Sequence, residues 1–175
     1  MAESSVRVVS NALPRRPPSC RGGRTAILVR HNDLVTKRGA RAAAANDTIR
    51  PCPCGSAQAY GNCCGRLHRR ETTAATAEQL MRSRFSAFSI GDTAYLLRTW
   101  HPTTRPGRLT LDPQQRWTRL DILTTDQGGL FDTIGTVEFR AHYRESGHPG
   151  TLHEHSRFVR EDGEWVYLHA MPSSG

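Results

Sequence analysis

"GTVEFRAHYRESGHPGTLHEHSRFV", residues 135–159, decides how the second half of this chain folds. In its first part Val137, Phe139, Ala141 and Tyr143 fall on one side and Glu138, Arg140 and His142 on the other. In its second part Leu152, Glu154, Ser156 and Phe158 share a side, opposite His153, His155 and Arg157. A period of two sustained this long marks strands with one buried face. Gly147-His148-Pro149-Gly150 stands between them and predicts an antiparallel hairpin. Leu152 and Phe158 mark the inward side, so Glu154 and Ser156 point inward with them. An inward carboxylate must be paired, hydrogen-bonded or neutralised.

The same period extends in both directions. "WTRLDILTTD" (117–126), "LFDTIGTVEFRAHYRE" (130–145), "GTLHEHSRFVRE" (150–161) and "GEWVYLHAM" (163–171) read as four strands. Gln127-Gly128-Gly129 and Asp162-Gly163 supply the other breaks, short enough for an antiparallel sheet. Upstream the period is helical. Ala77, Leu80, Met81, Phe85 and Phe88 recur at three- and four-residue spacing, with Arg84 on the same face. Thr76 and Gln79 form a capping box before this helix and Gly91 ends it. Asp92 then caps a shorter helix, "TAYLLRTWH" (93–101), that stops before Pro102. Helices first and an antiparallel sheet after predict an α+β fold, with the helices covering one face of the sheet.

Ahead of the helices lies "PCPCGSAQAYGNCCGRLH", residues 51–68, which holds four of the five cysteines. Cys52 and Cys54 can wrap one side of a metal ion through a tight turn, and Cys63 and Cys64 the other. The alternatives for such a cluster are redox thiols and buried thiols. Adjacent cysteines are poorly placed to bridge each other, and so short a segment has no core in which to bury four thiols. Structural zinc is therefore the expectation, with Cys20 outside the site.

Charge divides the chain further. Residues 1–50 carry ten Lys/Arg against three acids, whereas residues 71–175 carry eleven Arg against thirteen acids. Residues 1–47 lack a usable apolar period and read as a disordered basic tail, or as chain upstream of the natural start, since no Met occurs between Met1 and Met81. A basic arm for nucleic acid or lipid is the alternative. The start has no apolar signal-peptide core and the chain has no run long enough to cross a membrane, so a reducing cytoplasm and no membrane partner are expected.

"CPCGSAQAYGNCCG" resembles the SEC-C motif, the small zinc-binding element found at the C-terminus of the SecA translocation motor and in many bacterial proteins. "TAEQLMRSRFSAF", "YLLRTWHPTTRP", "VEFRAHY" and "HEHSRFVREDGEWVY" follow in the order that resembles the YchJ family, from about Thr48 to about His169. The resemblance implies a SEC-C element over 48–70 with Cys52, Cys54, Cys63 and Cys64 as metal ligands. It implies a nuclear transport factor 2-like (cystatin-like) domain over 71–175, a curved sheet wrapped by helices into a cone with an internal pocket. No biochemical activity comes with it. Ala57 departs from the motif, which usually has glycine there, so a left-handed backbone would be strained at this position.

Glu154 is the best acid–base candidate, ahead of Asp121, His101 and His169; its structural alternative is a carboxylate held by Arg82 or Arg84. The pocket residues expected with it are Ser156, Trp100, His101 and Arg84. Trp100, Trp117 and Trp165 are expected as core or pocket wall. His153 and His155 point the same way but outward and lack a third ligand, so they read as a solvated face. No nucleophile elbow or phosphate loop is present. Two functions remain: a zinc-bearing adaptor for a protein or ribonucleoprotein partner, or a cone that binds or converts a small molecule around Glu154.

Overall fold

The computed structural model describes residues 47–172. Residues 1–46, where the basic tail was expected, and Cys20 lie outside that region. Asp47 lies within it: its carboxylate is 3.8 Å from Arg69 Nη1, which joins this residue to the cysteine element.

The chain runs from a 3-10 turn (Tyr60–Asn62) through helices α1 (Cys64–His68), α2 (Ala77–Ile90) and α3 (Thr93–Arg98). Strands β1 (Gln115–Gln127), β2 (Ile134–Glu145), β3 (His148–Glu161) and β4 (Glu164–Ala170) follow. They form one sheet in the order β1-β2-β3-β4, antiparallel throughout. The helices pack on one face of this open sheet, as the α+β reading requires.

Local chemistry explains the helix ends. Thr76 Oγ1 accepts from Gln79 N at 3.1 Å, and Gln79 Oε1 reaches back to Ala75 N. Gly91 closes α2 with φ 79°, and Asp92 Oδ1 accepts from Tyr95 N to open α3. The shorter helix stops at Arg98, not at His101. The reason is tertiary: Tyr167 N donates to Thr99 O and His101 N donates to Tyr167 O, so residues 99–101 leave the helix and pair along β4.

The β2–β3 turn also differs from expectation. It is made by Ser146 and Gly147, at φ 51° and 86°, the pair of left-handed residues that a two-residue hairpin of matching twist demands. His148, Pro149 and Gly150 therefore belong to β3. Pro149 is tolerated because this end of β3 pairs only with β2. Gly150 is required there: a Cβ would fall 2.5 Å from Tyr143 Cζ. Likewise β2 begins at Ile134, later than expected, and Leu130 and Phe131 stand in the preceding loop, Phe131 fully out in solvent.

Strand parity holds. Val137, Phe139, Ala141 and Tyr143 are buried, and Ser156 and Phe158 are completely so. Val137, Phe139, Ala141 and Phe158 meet Leu80, Met81 and Phe85 of α2 and Leu96 of α3 in one core. Helix α2 is buried on a second side as well, where Ser83, Ser86 and Ala87 have no exposure. That side meets the cysteine element.

Candidate metal centre and inner-face polar cluster

The cysteine element is built by a short ladder. Cys52 N donates to Gln58 O and Tyr60 N to Arg50 O, which folds residues 50–60 back on themselves. Gly55 at φ 79° and Ala57 at φ 60° turn the chain between them. The 3-10 turn and the start of α1 then present Cys63 and Cys64 to the first pair. All four Sγ atoms lie within 4.8 Å of one another.

Those distances fit a metal. Four thiolates about 2.3 Å from a zinc ion sit on a tetrahedron whose edge is about 3.8 Å. Cys54 and Cys63 are 3.6 Å apart and Cys63 and Cys64 3.9 Å. Among the described residues none of the four is in a disulfide. Without a cation the cluster cannot ionise as a whole. Hydrogen bonds from Cys54 and Cys64 pull the Cys52 thiol down. The same contact with Cys52 pushes Cys54 and Cys64 up. A divalent ion would relieve that conflict by stabilising the thiolate form of all four and offsetting two of their four charges.

The surroundings complete the donor set. Ser56 Oγ is 3.2 Å from Cys63 Sγ. Ser86 Oγ, from α2, is 3.6 Å from Cys52 Sγ. Arg82 Nη1 donates to Cys54 O at 3.1 Å and its Nε to Glu78 at 2.7 Å. His68 of α1 bridges the two parts: its Nε2 is 3.0 Å from Ser83 O and its Nδ1 is 2.8 Å from Tyr60 OH. Arg98 donates to Leu67 O and His68 O from the other helix. The cysteine element is thus docked on α2 and α3, and Cys52 and Cys54 are tied to the larger domain. Its basic edge is narrower than composition implies, because Glu71 engages both Arg66 and Arg69.

On the inner face of the sheet, Arg84, Trp100, Glu154 and Ser156 belong to one neighbourhood and Tyr167 joins them. Arg84 is buried, and burial lowers its pKa to about 10. Its Nη1 donates to Leu96 O and to Thr99 O and Oγ1, while its guanidinium lies 4.7 Å from the centre of the Tyr167 ring and 5.1 Å from that of Trp100. Glu154 is half-buried. Its Oε1 accepts from Ser156 Oγ at 2.5 Å and from Tyr167 OH at 3.4 Å. Burial and the nearby Glu154 carboxylate push the Tyr167 phenol up.

The expected ion pair between Glu154 and Arg82 or Arg84 does not form. Arg84 spends itself on carbonyls and rings, and Arg82 faces the cysteine element. The hydroxyl partner comes from β4 instead. Strand parity from Trp165 makes Tyr167 legible as an inward residue, but nothing local pairs it with Glu154. His101 turns away from the cluster: its Nε2 is 3.4 Å from Glu161 and its Nδ1 2.7 Å from Thr103 Oγ1. His169 is exposed and bonds the neighbouring Ala170 carbonyl. Asp121 lies on the outward face with His142 at 2.8 Å. Trp165 is core, its Nε1 donating to Ala75 O, and Trp117 packs against Phe85, Phe88 and Tyr143.

Two cavities lie among the described residues beside these groups. One of about 210 Å³ lies between α1 and β4, with Arg70, Arg98, Glu164 and Trp165 in its lining. The other is an open groove of about 640 Å³ beside Arg119, His142 and Arg144. Glu154 lines neither. Among the described residues no helix is long and apolar enough to cross a membrane.

Comparison with known proteins agrees with this anatomy. Residues 76–170 match the family described as YchJ, middle NTF2-like domain, and residues 51–66 match the SEC-C motif. A UPF0225 protein of Streptomyces coelicolor is 61% identical over 117 residues, covering 67% of this chain and 91% of that protein. A UPF0225 protein of Corynebacterium efficiens is 52% identical over 116 residues, covering 66% and 88%. The solution structure of a SEC-C motif containing protein from Rhodopseudomonas palustris superimposes with a TM-score of 0.62 at 32% identity, over 70% of this chain and 98% of that one.

Proposed function

The chain belongs to the YchJ family, and from that premise we propose that it is a zinc-stapled binding module. In this reading Cys52, Cys54, Cys63 and Cys64 hold one structural zinc ion. The exposed turn at Gly55, Ser56, Ala57 and Gln58 and the free Arg70 edge then meet a protein or ribonucleoprotein partner. The metal supplies the cross-link that so small an element cannot obtain from a core of its own. Ser86 and Ser56 orient the sulfurs, and Arg82 and His68 hold the element against the helix. Burial of Cys52, Cys54 and Cys64 keeps them from oxidants.

One observation carries the preference for binding over catalysis: the charged groups of the inner face already have partners. Glu154 is held by Ser156 and Tyr167, and Arg84 by carbonyls and two rings. The test is metal analysis of the purified full chain beside a Cys63→Ser variant, with partner capture assayed before and after chelation. About one zinc per chain and chelator-sensitive capture are expected. A metal-free, fully folded wild type would overturn the zinc assignment. A turnover removed by E154Q with the fold intact would overturn the binding assignment.

A second reading rests on Trp100. Its Nε1 is buried without a hydrogen-bond acceptor among the described residues, in the ring that packs on Arg84 and Tyr167. A small carboxylate accepting from that indole would make the inner face a ligand site. Fluorescence titration with small carboxylates, repeated on W100F, tests it.

A further inference from the structure

The outward face of the sheet, opposite the helices and the cysteine element, has a charge pattern that the zinc reading does not use. Two residues of strand advance about 6.6 Å. Each such step along this face brings a new basic or imidazole side chain: Arg157, His155, Arg140, His142 and Arg144 occupy five successive rows of the β2–β3 ladder. Arg119 stands beside His142, and Arg116 beside Arg144, on β1.

The part of this face made by β1, β2 and β3 up to Arg157 is charged against the trend of its own domain. Residues 71–175 hold eleven Arg and thirteen acids. On the part of this face spanned by β1, β2 and β3 up to Arg157, five of those arginines, at 116, 119, 140, 144 and 157, stand with three of the acids, at 121, 126 and 138; Glu161 and Glu164 share the face by register but lie beyond Arg157, at its far end. Two of the three acids are occupied. Asp121 Oδ2 is 2.8 Å from both His142 Nε2 and Arg119 Nη2. Glu138 is 2.8 Å from His153 Nε2 and also accepts from Thr124. Among the described residues Arg116, Arg140, Arg144 and Arg157 have no carboxylate within 4.0 Å, although Arg144 does reach the carbonyl of Gly147 at 3.3 Å. The 640 Å³ groove opens at the Arg144 end, walled by Arg119, His142 and Thr151.

We propose that this outward face binds single-stranded nucleic acid, with the guanidinium groups on successive phosphates and the imidazoles between them against the bases. A regular line of cations is what a backbone of regular anions requires, and both guanidinium and imidazole planes can stack on unpaired bases. The face is the middle of a sheet and not an edge, so it offers no strand-addition site for a peptide. With few apolar side chains among these rows, recognition is electrostatic and largely independent of sequence. The inference stands apart from the zinc reading, because the two surfaces lie on opposite sides of the sheet.

The experiment is fluorescence anisotropy of the full, zinc-loaded chain with a labelled oligouridylate of about twelve nucleotides. Binding should weaken with salt at a slope of about 0.7 per phosphate contact. R140E/R144E changes two exposed side chains; losing two contacts should lower that slope by about 1.4 and weaken binding about 25-fold at 0.1 M salt. R140Q/R144Q, which removes charge without reversing it, should lower the slope by the same amount. R15E/R16E, in the basic N-terminal region, should keep the wild-type slope. The proposal is overturned if R140E/R144E binds like wild type with zinc content and circular dichroism unchanged. It is also overturned if poly-glutamate displaces the oligonucleotide at equal charge concentration. Self-association of the wild type that R140E/R144E abolishes would assign the face to a second copy of the chain and overturn it too.

Discussion

Ser86 Oγ, in the middle of α2, lies 3.6 Å from Cys52 Sγ, 34 residues earlier in the chain. This hydroxyl belongs to the larger domain and addresses a candidate metal ligand of the smaller one. It has no solvent exposure, so no water substitutes for it. Ser86→Ala should therefore weaken zinc affinity by about tenfold, as loss of an outer-shell donor typically does, with the fold retained. Competition with a chromogenic chelator measures it. Unchanged affinity would mean that the contact is packing only.

His68 predicts a pH dependence. It sits between Tyr60 OH and the Ser83 carbonyl, and burial lowers its pKa below the ordinary 6.5. The folded state therefore takes up this proton at lower pH than the unfolded state does. Its contribution is fully present above pH 6.5 and is lost as pH falls from 6.5 toward the depressed folded value. H68Q offers one donor and one acceptor without a titrating group, and should flatten that part of the stability curve. Denaturant midpoints at several pH values, with metal content followed alongside, separate this from acid release of zinc.

Glu154 is tested by two substitutions with different expectations. E154Q keeps an acceptor for Ser156 and Tyr167 and should leave stability close to wild type. E154L removes it and strands the completely buried Ser156 hydroxyl, at a cost of about 1–3 kcal/mol. The larger loss expected from an orphaned arginine should not appear, because Arg84 does not depend on this carboxylate. Urea unfolding of both variants decides it.

Ala57 carries strain that can be relieved. It is exposed and left-handed at φ 60°, where an L side chain costs about 1–2 kcal/mol. Ala57→Gly gives back part of that in unfolded-state entropy, so the expected net gain is about 0.5–1 kcal/mol. It should appear as a higher thermal midpoint of the zinc-loaded protein.

Much of this molecule is local chemistry, and that much the sequence by itself determined. Period two decides which strand residues face inward, because a one-residue slip would expose Phe158 and bury His155. Thr76, Gly91 and Asp92 act on backbone groups within four residues, so helix ends are readable where they occur. The four cysteines are close in sequence and the backbone ladder that gathers the first two runs between residues 50 and 60; the strain at Ala57 is visible as a departure from the motif the segment resembles.

What crosses long separations was decided by packing. Residues 99–101 leave their helix because β4 offers Tyr167 as a backbone partner, some 65 residues on, and helical propensity has no knowledge of that offer. Glu154 takes a hydroxyl from β4 and not a guanidinium from α2, because the sheet register puts β3 and β4 side by side while Arg84 is turned to Thr99. Ser83 and Ser86 look like the solvent side of an amphipathic helix, yet they are buried. Small hydroxyl side chains let the cysteine element come close on that side, and only the docking of one element on the other decides that water is excluded there.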